Sequence, residues 1–91
     1  MSFVTLDTVV LTHDLPAHGL RAGDLGAIVY VHSPAQVEVE FVRASGRTQA
    51  VLTLAETDLR MVADADLLAV REVSASTEAR VKRARLADPR E

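Results

Sequence analysis

The chain has 91 residues, no cysteine, 48% hydrophobic residues and only 3% aromatics. That length carries one domain, and a cysteine-free chain excludes a disulfide framework or a thiolate metal staple, so stability must rest on a compact Val, Leu and Ala core. The net charge of −3 is unevenly placed: residues 1–73 set five arginines (21, 43, 47, 60 and 71) against ten acids, while residues 74–91 set five bases against three acids. An acidic body disfavours phosphate backbones, whose unspecific affinity comes from Lys and Arg.

Met1 to Asp7 lack the basic start and apolar run of a signal peptide. No stretch reaches the roughly 20 apolar residues of a membrane helix. A cytoplasmic protein without membrane contact is expected.

In chain order, the first predicted element is a strand over Thr8-Val9-Val10-Leu11-Thr12, rich in β-branched residues. Asp14 to Asp24 read as a loop, because Pro16 lacks a donor and Gly19 and Gly23 permit positive φ. A second strand over Leu25–His32 places Ala27, Val29 and Val31 on one face and Ile28, Tyr30 and His32 on the other. Both faces are largely apolar, which makes it a central strand.

After a turn at Ser33-Pro34, residues Gln36 to Phe41 alternate clearly, with Val37, Val39 and Phe41 inward and Glu38 and Glu40 outward. A loop at Ala44-Ser45-Gly46-Arg47 leads into a strand over Gln49–Leu54. That loop length pairs Phe41 with Ala50, Val39 with Leu52 and Val37 with Leu54, and all six share the core face. A one-residue slip would turn Leu52 and Leu54 outward.

Ala55-Glu56-Thr57-Asp58 predicts a single 3-10 turn, and Leu59 to Val62 a short last strand. Residues 66–73 fit an edge strand better than a helical face. The predicted core includes Val10, Ile28 or Val29, Val39, Phe41 and Leu52. This order of long first loop, three-stranded meander, 3-10 turn and short final strand is the wiring of an SH3-like barrel. The expected fold is therefore all-β: a small SH3-like barrel of five or six strands over residues 1–73, followed by a charged tail over 74–91. In the tail, Ser76 is a fitting N-cap and Asp88-Pro89 a stop. Val81, Ala84 and Leu86 do not form one stripe, so a helix there would be stable only when docked and frayed when free.

From Asp7-Thr8-Val9-Val10-Leu11 through Asp14-Leu15-Pro16, Gly19-Leu20 and Gly23-Asp24-Leu25-Gly26, the chain resembles a bacterial family catalogued as domain of unknown function 4926. The likeness continues at Val37 to Phe41, Leu52-Thr53-Leu54 and Asp58-Leu59-Arg60, and covers roughly residues 6–73. It implies an SH3-like fold and brings no established activity. The residues themselves explain the motif: Gly23 supplies a tight turn, Asp24 accepts backbone hydrogen bonds within it, and Gly26 marks a bulge or a close backbone approach. Gly23 to Val29 also resembles the Gly-x-x-Gly-x-hydrophobic element of KOW-type barrels, some of which bind RNA or RNA polymerase. Those carry Lys or Arg around the glycines, whereas here Arg21 stands alone beside Asp24.

Chemistry-bearing residues are sparse. His13, His18 and His32 lack the spacing of a metal set, although a metal-binding small barrel is one alternative. No Gly-x-Ser-x-Gly elbow or phosphate loop is present. His18 with Asp14 or Asp24 is the one acid–base pair that can be drawn. No catalytic residue, cofactor or metal ligand is assigned. The leading expectation is a non-catalytic protein-interaction module, with Glu38, Glu40, Arg80, Lys82, Arg83 and Arg85 as the candidate interaction surface. Another protein is the expected partner, with a homo-oligomer open. The competing class is a KOW-like nucleic-acid-binding accessory domain acting through the basic tail.

Overall fold

A computed structural model describes residues 2–73. Five antiparallel strands form one sheet in the order β4-β3-β2-β1-β5: β1 Thr8–Leu11, β2 Leu25–Ser33, β3 Gln36–Val42, β4 Thr48–Ala55 and β5 Leu59–Met61. Two 3-10 turns, Pro16–His18 and Glu56–Asp58, sit in the connections. Among the described residues, no helix is long and apolar enough to cross a membrane. The tail expected to form a docked helix, with Arg80, Lys82, Arg83 and Arg85, lies outside the described residues.

The β3–β4 register is the expected one: Phe41 faces Ala50, Val39 faces Leu52 and Val37 faces Leu54. Val37, Val39 and Phe41 are fully buried, with Ile28, Val9 and Leu11 beside them, while Leu52 and Ala50 are half-buried against that cluster. The connecting loop closes with Arg43 N–H on the Arg47 carbonyl and Gly46 N–H on the Arg43 carbonyl, both at 2.8 Å. Gly46 takes φ 95° there, a conformation that a side chain would strain.

β2 is the central strand, as expected, but its side chains do not alternate straight through. Ile28 pairs with Val39 and Tyr30 with Glu38, leaving Val29 as an extra residue. This bulge shifts the inward set from Gly26 and Ile28 to Val31. Val29 and Tyr30 are exposed instead of core-facing. Gly26 is buried in the first half, where a Cβ would stand 2.6 Å from Val39 Cγ1 and 2.9 Å from Phe41 Cε1. The motif's last glycine therefore serves close packing, and the bulge lies three residues on.

Val10 is buried, as expected, but on the other side of the sheet from the main cluster, which takes Val9 and Leu11. The predicted edge strand over 66–73 is absent: that stretch makes no ladder and is irregular. Three of its apolar side chains stay in water, with Leu67 92%, Leu68 71% and Val70 95% exposed, while Val73 is half-buried. Phe3, outside any strand, completes the core at the N-terminal end.

Candidate functional site

The site is built on the loop between β1 and β2. Pro16 opens the first 3-10 turn, and Gly19 ends it at φ 70°. Leu15 and Leu20 bridge back to each other, which buries Leu20 in the core. Gly23, at φ 97°, turns the chain so that its N–H meets the Leu11 carbonyl at 2.8 Å. Asp24 Oδ2 then accepts the Arg21 N–H at 2.8 Å, and Asp14 Oδ1 accepts the Ala22 N–H at 2.9 Å. The carboxylate of Asp24 is thus oriented by its own turn, the role the sequence assigns it.

Asp24 has a second role that local sequence does not show. Arg71, 47 residues later, donates through Nε to Oδ1 at 2.9 Å and through Nη2 to Oδ2 at 2.5 Å. Arg71 Nη2 also reaches the Gly19 carbonyl at 3.0 Å. This fork holds a planar guanidinium on three oxygens. The carboxylate partner raises the Arg71 pKa further above its ordinary value.

A second pair anchors the same stretch. Arg60 on β5 donates through Nη1 and Nη2 to the two oxygens of Asp66, both at 2.9 Å. Asp66 Oδ2 also accepts the Ala63 N–H at 2.7 Å. These hydrogen bonds, Arg60's first, pull the Asp66 carboxyl down to about 2. Residues 62–73 form a strap pinned at Asp66 and Arg71. Between the strap, the Val10–Leu25 surface and the Arg43–Ser45 loop lies an open groove of about 820 Å³.

The expected site residues are not gathered in this groove. Glu38 and Glu40 lie on the outer face of the β3–β4 hairpin, opposite Thr53 and Val51. Glu38 Oε1 is 3.2 Å from His32 Nε2, and Glu40 accepts from Thr48 Oγ1 at 2.6 Å. The basic half of the expected surface is outside the described residues. The acid–base pair drawn for His18 does not form, because Asp14 and Asp24 are committed to Ala22 and to Arg21 and Arg71. His13 finds a carboxylate instead, with Nε2 2.7 Å from Asp58 Oδ1 and Nδ1 3.2 Å from the Asp14 carbonyl. Both ring nitrogens face acceptors, so the ring is held as a donor. Among the described residues no three His, Cys, Asp or Glu side chains converge as a metal set would.

A family model for a domain of unknown function, DUF4926, matches residues 5–61. The chain belongs to the DUF4926 family. No significant match is found among curated proteins or solved structures. The DUF4926 region stops at Met61, short of the residue 73 expected from the motifs. Gly19, Asp24 and Arg60 therefore lie inside it, while their strap partners Asp66 and Arg71 lie beyond it.

Proposed function

We propose that this DUF4926 chain is a non-catalytic protein-interaction module on an SH3-like small barrel. The strand order and the meander β2-β3-β4 support the barrel reading. So does the curl that brings Gln49 of the far edge strand to the His18 carbonyl at 3.0 Å. One observation carries the functional reading: an open groove beside a carboxylate already organised to receive a guanidinium. A carboxylate with both oxygens presented to a forked donor suits an arginine of a protein segment, and the acidic balance of residues 1–73 disfavours phosphate backbones.

Affinity capture with the full chain from lysate, run with and without nuclease, tests this. A protein partner retained after nuclease treatment is the expected result. Bound material that nuclease releases would overturn it in favour of a nucleic-acid-binding accessory domain acting through the basic residues of 74–91.

A further inference from the structure

Asp24 and the Gly19 carbonyl, the two partners that Arg71 reaches across the chain, belong to the DUF4926 region, whereas Arg71 and the adjacent Glu72 carbonyl, which takes Nη1 at 3.1 Å, do not. Asp24 Oδ2 also accepts the Arg21 N–H within its own turn, so the carboxylate has a partner besides the strap. The strap gains little from packing, since Leu67, Leu68 and Val70 are largely in water. Its two anchors are partly solvated: Arg71 and Asp24 side chains are 28% and 19% exposed, Arg60 and Asp66 48% and 23%. The strap is held by these two bidentate pairs and not by a packed apolar face, so an arginine presented in trans can offer Asp24 the same bonds that Arg71 does. Beneath the strap, the Gly19 backbone is bare enough for Val73 to come close: a Cβ on Gly19 would stand 3.2 Å from Val73 Cγ1.

We propose that Asp24 and the Gly19 carbonyl form an arginine-accepting pocket, that the strap fills it in cis with Arg71, and that its ligand in trans is an extended, arginine-bearing segment of a partner protein which displaces the strap. The ligand is arginine and not lysine, because two carboxylate oxygens and a carbonyl are engaged by a forked, planar donor that an ammonium cannot reproduce. The cis segment Leu68-Ala69-Val70-Arg71 is the template: small or aliphatic residues leading into the arginine. A strap that occupies the pocket lowers the apparent affinity for the trans ligand by the fraction of molecules it closes. This inference rests on the interaction reading above and specifies where the partner binds.

The test uses a fluorescently labelled peptide of residues 62–73, titrated into the full chain by anisotropy. Arg71→Ala in the full chain empties the pocket, and the peptide is expected to bind that variant at least tenfold more tightly than it binds the wild type. A peptide carrying lysine or alanine at the position of Arg71 is expected to lose at least tenfold, with the protein itself unchanged. Asp24→Asn, checked for a retained thermal transition, is expected to lose as much. Equal binding to wild type and Arg71→Ala, or indifference to the peptide's arginine, overturns the proposal. A concentration-dependent dimer that vanishes in Arg71→Ala would make the occupant a second copy and overturn the assigned ligand. A captured partner that survives Asp24→Asn would remove this pocket while leaving the interaction reading standing. Nucleic-acid capture alongside intact peptide binding would do the reverse.

Discussion

His13 Nε2 lies 2.7 Å from Asp58 Oδ1, tying the segment just after β1 to the 3-10 turn before β5. Thr12 strengthens the same join, with its N–H and Oγ1 both 2.9 Å from the Asp58 carbonyl. The Asp58 hydrogen bond, and then that to the Asp14 carbonyl, raise the His13 pKa above 6.5. A folded-state pKa above the unfolded one gives stability that is complete below the unfolded value and is lost as pH rises through the folded value. Denaturant unfolding should therefore show stability declining as pH rises above 6.5. His13→Gln should flatten that slope. An unchanged slope in the variant would mean that this pair does not link protonation to folding.

Gly26→Ala should destabilise the domain by about 1–3 kcal/mol, the usual cost of forcing a methyl into a filled core. Gly26 does not adopt positive φ, so the effect isolates the approach of β2 to Val39 and Phe41. Urea midpoints compared with wild type measure it. A midpoint unmoved by the substitution would show that the sheet relaxes around the added methyl.

Leu6→Gly should stabilise. Leu6 has φ 79° and is 79% exposed, so it carries left-handed strain with little packing in return. The conformation is held because Leu6 N–H reaches the Ile28 carbonyl at 2.7 Å, while Asp7 N–H bonds Val4 O and Ile28 N–H bonds Asp7 O. Relieving the strain, offset by glycine's greater unfolded-state freedom, leaves a net gain of roughly 0.5–1 kcal/mol. Thermal unfolding should move up by a few degrees, and a fall would show that the Leu6 side chain packs in solution.

The parts of this fold that were legible in sequence are those where one face of an element is wet. Val37, Val39 and Phe41 alternate with Glu38 and Glu40, so both the strand and its register against β4 can be read. β2 is apolar on both faces and offers no such contrast, which hid the bulge at Val29. Residues 66–73 carry an apolar pattern with nothing to pair it: ionic anchors at Arg60 and Asp24 hold the backbone where ladder bonds would otherwise be needed. Asp24 was readable as a turn former because Arg21 is three residues away. Its guanidinium partner, and the carboxylate that His13 meets, come from more than forty residues along the chain. No local spacing encodes contacts at that distance. The candidate groove was invisible for the same reason.

β1 has β2 on one side and β5 on the other, and the β5 side is filled by residues at the far end of the sheet-forming chain. The meander can zip as it is made, since Pro34-Ala35 and the Arg43–Arg47 loop bring neighbours together over short separations. The β1–β5 ladder instead closes a span of about fifty residues, a larger entropic step that must come last. During synthesis, at about 5–20 residues per second, β1 and β2 can pair seconds before Leu59–Met61 leave the ribosome. Throughout that interval β1 presents a bare, aliphatic edge to its surroundings, and Val9, Val10 and Leu11 are guarded only once the last strand arrives.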